Sequence, residues 1–287
     1  MGFASTTQNF QDWFTQQWAI IWGKKINPIE YNWLLGPFGS VNSFGEDFIL
    51  QLIEKEDLII QKANLKKGLL ASIQLLNLSN IDLAKLPKKV IDFYENTSNY
   101  SLNLNVKWNP FFRIFGVLVN TLFSKRINQL NIPTNNFSEN ESLTNEIIQL
   151  VDPKSNQTKY TIWLRKIEKS NKIIYLGIYS TCTLPDGNKC VKAVFPLPNG
   201  NATVILNPSV GINGELILDA SGKKMGDAGF YFLLNDYKGN YWTQYIQSFQ
   251  DKLIVNQTND GQLVAKQALT LWKFNVLTFT YRINKIV

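Results

Sequence analysis

The chain has 287 residues, of which 45% are hydrophobic and 13% aromatic, and its formal net charge is +7. This length allows one large or two small domains, and the apolar fraction argues against a disordered chain. The sequence contains no histidine, which excludes Ser-His and Cys-His nucleophile pairs and metal sites built on histidine.

The excess of lysine lies in separate pairs such as Lys24-Lys25 and Lys223-Lys224, without a long basic run. We therefore expect no nucleic acid partner and interpret the charge as a solvated basic surface. Weak contact with an anionic membrane surface is an alternative, and the oligomeric state is left open. No segment has the pattern of a signal peptide or the length of a bilayer span, so we expect a cytoplasmic protein.

Residues 9–25 predict an amphipathic helix with an aromatic stripe. The stripe consists of Phe10, Trp13, Phe14, Trp18, Ile21 and Trp22. The opposite face carries Gln11, Asp12, Gln16 and Gln17. We expect the aromatic stripe to pack on the body of the protein. In the alternative, an interaction protein docks on a partner or a membrane through this helix, which requires Trp13, Trp18 and Trp22 to be exposed.

The next part of the chain is mainly helical in pattern. We predict a loop over 28–41, a helix over 44–55, a short strand near 58–61 and a short helix from Pro87 through Glu95. Residues 64–86 are rich in leucine and have no clear period. Residues 100–108 alternate between apolar and polar side chains, which is typical of a half-buried strand.

The most apolar stretch runs from Asn109 to Pro133. Asn109 suits an N-cap and Pro110 the first helical position, so we predict a helix over 110–130. Apolar side chains cover almost its whole circumference, which is typical of a buried helix, and the run is shorter than the roughly 20 residues of a bilayer span. We expect this helix to form one wall of an apolar cavity beside Phe115 and Val119.

A polar loop over 134–142 marks the boundary between a mainly helical part, 1–133, and an antiparallel β part, 134–287, which we expect to form one integrated domain. Strands separated by turn signals follow the loop. They are predicted at 145–151, 159–167, 172–184, 188–196, 201–207, 214–220, 228–235, 240–256, 262–271 and 275–284. The fold class is α+β, with a helical N-terminal part and a buried central helix packed on a large curved antiparallel sheet, barrel-like or half-open.

A curved antiparallel sheet packed on a long apolar helix resembles, in architecture alone, the helix-grip lipid-binding folds. The chain departs from that pattern because its C-terminal LTFTYRI predicts a strand, where those folds have a long helix. The resemblance implies a site for an apolar ligand between the sheet and the helix.

Our main hypothesis is non-catalytic binding of an apolar small molecule or lipid between the sheet and the central helix, without a cofactor or metal. The predicted ligand-binding residues are Trp108, Arg113, Phe115, Val119, Arg165, Tyr179, Lys192, Asn199, Asn201 and Tyr231. We expect most of the polar strand residues in this set to face solvent and one or two to meet the polar head of a ligand. The alternative is a histidine-free enzyme that combines Asp219 or Asp227 with Lys192 or Tyr231.

The segment Leu184-Pro185-Asp186-Gly187-Asn188 predicts a three-residue hairpin with Gly187 in the left-handed conformation. That register places Cys182 directly opposite Cys190. We expect two reduced, partly buried thiols at these positions, because no secretory signal is present.

Overall fold

The computed structural model describes residues 3–4, 10–39, 46–61, 67–112 and 137–286. Of the predicted central helix, residues 110–112 are described and are helical. Its remaining part, with the predicted site residues Arg113, Phe115 and Val119, lies outside the described residues, and its role as a cavity wall stays a prediction.

The described chain is built mostly from antiparallel strands, with a few short helices. The α-helices are α1 (Phe10–Trp22), α2 (Asp47–Glu56), α3 (Asn80–Lys85) and α4 (Lys88–Glu95), and short 3₁₀ helices occupy Asn32–Leu34, Ile73–Leu76 and Thr97–Asn99. The strands are β1 (Lys24–Ile26), β2 (Ile59–Ile60), β3 (Tyr100–Trp108), β4 (Phe137–Val151), β5 (Thr158–Ile167), β6 (Ile173–Thr183), β7 (Lys189–Leu197), β8 (Gly200–Val210), β9 (Leu216–Asp219), β10 (Gly229–Asn235), β11 (Tyr241–Tyr245), β12 (Phe249–Gln257), β13 (Leu263–Leu271) and β14 (Phe274–Lys285).

Ten of these strands close into a barrel. The order around it is β3-β4-β5-β6-β7-β8-β9-β12-β13-β14, and β14 pairs again with β3. The closure depends on β8, whose first half pairs with β10 and whose second half pairs with β9. Strands β10, β11 and β1 continue from β8 as an extension outside the barrel. The curved antiparallel sheet is therefore confirmed, and the half-open form is wrong because the β8–β9 pairing seals it.

The barrel wall between β4 and β7 is buried on both faces. Its inner face belongs to the main core, whereas α2 packs Phe48, Ile49 and Leu52 against the outer face. Two-sided burial explains the long apolar runs of β6 and β7, because neither face of these strands meets water.

One end of the barrel is covered by residues 67–99, which we call the cap. Leu69, Leu70, Phe93 and Tyr94 of the cap join the barrel core. The cap is tied together at the fully buried Thr97, whose hydroxyl donates to the Phe93 carbonyl over 2.7 Å and accepts from the Leu69 amide over 3.2 Å. The predicted helix from Pro87 to Glu95 is confirmed as α4, with Pro87 at its N-cap.

Helix α1 covers the extension with the face opposite to the one we predicted. Its polar side chains Asp12, Gln16 and Gln17 are buried. The Gln16 amide donates to the Pro198 carbonyl over 2.5 Å, and the Gln17 side-chain oxygen accepts from the Ala4 amide over 3.0 Å.

The exposed face of α1 is apolar. It consists of Phe14, Trp18, Ile21 and Trp22, while Trp13 is half-buried. Packing of the whole aromatic stripe on the body is therefore wrong. The docking face is mixed, because Ala19 and Ile20 pack against Leu234 beside the amide side chains, which bind main-chain oxygen and nitrogen atoms.

Two predicted boundaries are also wrong. The polar loop over 134–142 belongs to β4 from Phe137 onward, where it pairs with β3. The single strand over 240–256 is divided into β11 and β12 by a break at 246–248. The hairpin at Gly187 is confirmed, with φ of 90° at the glycine. Cys182 lies opposite Cys190, and both thiols are free and buried.

Candidate functional site

The barrel encloses a cavity of about 90 Å³ next to the cap. Most of its lining is apolar or aromatic. The polar side chains that strands β5, β6, β12, β13 and β14 contribute to the lining are Arg165, Tyr175, Tyr179, Asp251, Gln267 and Tyr281, and α4 adds Tyr94. Side chains two residues apart on a strand share a face, which is why Trp163 and Arg165 both point inward while Ile162 and Leu164 pack under α2.

Arg165 is the cation of the cavity and is 5% exposed. Its guanidinium carbon lies 3.9 Å from the centre of the Trp163 ring and 4.4 Å from the centre of the Tyr175 ring. One terminal nitrogen is 3.3 Å from the Tyr179 hydroxyl. Among the described residues, no carboxylate lies within ion-pair distance of this guanidinium, and its Nε atom is buried without a hydrogen-bond partner.

Asp251 is the carboxylate of the cavity and is 6% exposed. Its Oδ2 atom accepts a hydrogen bond of 2.7 Å from the Gln267 amide. Its Oδ1 atom is buried and has no partner within the described part of the chain. Burial raises the pKa of Asp251 to about 7, although the bond from Gln267 opposes the rise. The carboxyl group is therefore neutral in a large share of molecules near neutral pH.

Three tyrosines from the strands, Tyr175, Tyr179 and Tyr281, line the cavity with these two groups. Burial raises the pKa of Tyr179, while the charge of Arg165 lowers it and the charge of Asp251 raises it, so this phenol lies within the field of both groups. Burial also raises the pKa of Tyr281 to about 12 and that of Tyr175 well above its usual value. All three phenols are thus neutral at physiological pH, and the hydroxyl of Tyr281 has no partner among the described residues.

The arrangement leaves three buried polar atoms unsatisfied beside one cavity: Arg165 Nε, Asp251 Oδ1 and the Tyr281 hydroxyl. Buried polar groups nearly always have a hydrogen-bond partner, so atoms of this kind indicate bound water or a bound ligand. No group of three or more His, Cys, Asp or Glu side chains that could hold a metal ion occurs in the described ranges.

The structure brings together two of the predicted site residues, Arg165 and Tyr179, at this cavity. Trp108 is buried in the same core without lining the cavity. The expectation that most polar strand residues face solvent is wrong, because Arg165, Lys192 and Tyr231 are buried and Tyr179 is half-buried.

Lys192 lies on the outer face of the barrel, away from the cavity. Its ammonium group donates to the carbonyls of Trp33 and Leu35 over 3.1 and 2.8 Å. Burial lowers its pKa. Asn201 is close by and donates to the Gly36 carbonyl over 3.2 Å. Together these side chains hold the segment between β1 and α2 against the barrel.

Tyr231 and Asn199 are the other predicted site residues that do not line the barrel cavity. Tyr231 is fully buried, and its hydroxyl donates to the Asp227 carbonyl over 2.5 Å and accepts from the Gly226 amide. Asn199 lines a surface cleft of about 320 Å³ that also contacts α2. This cleft is larger than the barrel cavity, but its lining contains no buried charged side chain, so the barrel cavity is the stronger candidate site.

The carboxylates of the alternative enzyme hypothesis have local partners. The Asp227 side chain accepts from the amides of Lys223 and Lys224 and so closes a turn. Asp219 lies 3.7 Å from the ammonium group of Lys252. These contacts give both carboxylates structural roles, and neither side chain lines the barrel cavity.

Sequence reasoning missed Asp251, Gln267, Tyr175 and Tyr281. Asp251 is the strongest omission, since Phe249 and Leu253 share its face of the strand, and an acidic residue on an apolar face is a signal in itself. Its side of the sheet could not be assigned because the break at 246–248 was not predicted.

The chain matches no known family model, and it matches no solved structure. It is similar to the uncharacterized membrane protein YndJ of Bacillus subtilis (strain 168), with 27% identity over 221 residues. The matched region is 76% of this chain and 38% of that protein, so the chain spans well under half the length of the curated relative. Within the ranges that the structure describes, every helix is too short or too polar to cross a bilayer.

Proposed function

We propose that the barrel binds a small organic acid without catalysis. The observation that carries the proposal is the buried guanidinium of Arg165, which lines the cavity without a carboxylate partner among the described residues. A buried charge without a counter-charge is costly, and a bound anion would remove that cost. The rings of Trp163 and Tyr175 pack on the guanidinium and Tyr179 binds one terminal nitrogen, which leaves Nε without a partner for a carboxylate to meet.

The volume of the cavity limits the ligand. Sites for drug-sized molecules have about 300–1,000 Å³, whereas this cavity has about 90 Å³. A long lipid chain does not fit, so we propose the small-molecule form of our hypothesis, with an apolar body of a few carbon atoms against the aromatic lining. Asp251 favours such a ligand below about pH 7, because its neutral form leaves Arg165 as the one formal charge in the cavity.

The test measures the thermal unfolding midpoint of the full chain with butyrate, hexanoate and octanoate, and with the matching alcohols as uncharged controls. We expect butyrate to raise the midpoint most, because it is the smallest of the three acids and the cavity has only about 90 Å³. A ligand that binds the native state alone stabilises it by about 2.7 kcal/mol at a hundred times its Kd. Mass spectrometry of organic extracts of the purified protein would identify an acid that co-purifies.

The matched variants are Arg165→Met and Arg282→Met. Arg282 is exposed, and it follows the cavity residue Tyr281 in β14. Replacing Arg165 should abolish the effect of butyrate, and replacing Arg282 should leave it unchanged. A midpoint that no carboxylate raises, combined with extracts that contain no acid, would refute the proposal.

A further inference from the structure

The outward face of α1 is the most unusual surface of the described molecule. Trp18, Ile21 and Trp22 are 39%, 53% and 72% exposed, while the buried face of the same helix combines Ala19 and Ile20 with the polar residues Asp12, Gln16 and Gln17. Amphipathic surface helices normally turn their apolar side to the core. A helix that leaves two tryptophans and an isoleucine in solvent points to a partner that covers these side chains. We propose that this face docks on a lipid bilayer that contains anionic lipids.

The charges around the face favour an anionic surface. Lys24 and Lys25 follow α1 directly and are exposed. The acidic residue of the helix, Asp12, is buried on the other face. Glu30 lies near Lys24 and reduces the local positive charge by one, which leaves the end of the helix cationic. Tryptophan prefers the headgroup level of a bilayer, and lysines next to the surface add about 1 kcal/mol each on anionic lipids.

The shape of the face favours a bilayer over a protein partner. The three side chains form a ridge along little more than one turn of one helix, with an exposed area on the order of 400 Å². A stable protein interface buries about 800 Å² on each partner and usually places its tryptophans in pockets. A bilayer interface needs no preformed pocket and accepts a ridge of this size. This proposal does not depend on the ligand of the barrel.

The test is co-sedimentation of the full chain with vesicles of phosphatidylcholine, with or without about one-third phosphatidylglycerol. We expect binding to the anionic vesicles that weakens as salt is added, because exposed charges are screened within about 10 Å at 0.1 M salt. The double variant Trp18→Gln/Trp22→Gln should lower the partition coefficient at least about tenfold. Lys25→Gln should lower it about fivefold on anionic vesicles and leave binding to neutral vesicles unchanged.

The control is Trp272→Gln, because Trp272 is 65% exposed in the turn between β13 and β14. Circular dichroism would show that the variants keep the fold, as expected for exposed positions. Equal loss of binding in the Trp272 variant would overturn the proposal, and so would a lack of binding to anionic vesicles. It would also be overturned if the wild type were a dimer that the Trp18/Trp22 variant converts to a monomer, since a second copy would then cover the face.

Discussion

At the scale of single residues, the two buried cations differ in what they bind. Lys192 has two carbonyl partners supplied by the fold, whereas Arg165 has aromatic rings and one phenol. We expect Lys192→Met to lower the free energy of unfolding by about 2 kcal/mol, because it leaves two buried carbonyls without a donor. Arg165→Met should cost less than about 1 kcal/mol, since the loss of ring contacts is offset by removal of an uncompensated charge.

Urea unfolding of both variants measures this contrast. Equal and large losses of stability would mean that Arg165 is a structural residue, and the ligand proposal would lose its main support. The sequence could identify both cations as polar groups among apolar neighbours. It could not separate them, because the difference lies in which segment covers each face of the barrel.

The raised pKa of Asp251 predicts that the stability of the protein depends on pH. Its folded pKa is about 7, above the usual value near 3.9 for an unfolded chain, so the native state binds the extra proton. The contribution of this proton to the free energy of unfolding is fully present below about pH 4 and is lost as the pH rises through 7. The nearby Tyr179 and Tyr281 do not titrate in this window, because burial raises their pKa further above 10.

Unfolding in urea at several pH values, for the wild type and for Asp251→Asn, isolates this effect. Between pH 4 and pH 8, the free energy of unfolding of the wild type should fall by up to about 4 kcal/mol relative to that of the variant. A difference that stays constant with pH would show that Asp251 has an ordinary pKa and is not buried in the cavity.

At the scale of elements, α4 joins the cap to the barrel through Phe93. This ring is buried, lines the cavity and lies 5.4 Å from the Tyr100 ring of β3. Phe93→Ala should lower the free energy of unfolding by about 3–5 kcal/mol and enlarge the cavity. Hexanoate should then stabilise the variant more than butyrate does, in contrast to the wild type.

The matched control for this element is Ile81→Ala in α3, where the side chain is 73% exposed. It should change the stability by less than about 0.5 kcal/mol. Similar losses in both variants would contradict the packing of α4 on the barrel.

Most strands could be predicted because turn signals separate them and their side chains alternate. The boundaries of β5 and β7 differ by at most one residue from the prediction, and the hairpin at Gly187 has the predicted register. The pairing of β8 with β9 could not be predicted, because a strand that changes partners along its length has no distinct local pattern. The orientation of α1 could not be predicted from the sequence either, since its polar side chains bind main-chain atoms that only the folded chain brings to them.

At the scale of the whole molecule, the closed barrel determines how a ligand enters. The sheet has no gap between neighbouring strands around the barrel, so a molecule must pass through one of its ends. The cap covers one of these ends and contributes no strand to the barrel, so it can move without breaking strand pairs. Its buried apolar side chains pack on the barrel core, and polar contacts join it to the strands and their loops, such as the Lys89 ammonium to the Gly261 carbonyl at 2.8 Å and Asn145 to the Thr97 carbonyl at 2.8 Å.

Opening of the cap predicts a distinct pattern of hydrogen exchange. Amides of 67–76 should exchange at least about a hundredfold faster than those of β5 and β6, because local opening needs less free energy than separation of a closed barrel. Saturating butyrate should slow exchange in the cap and leave the extension strands β1 and β11 unchanged, since they lie outside the barrel. Mass spectrometry of peptides from the exchanged protein measures both effects. If butyrate binds and the cap exchanges at its original rate, the ligand enters elsewhere and the cap is a fixed part of the core.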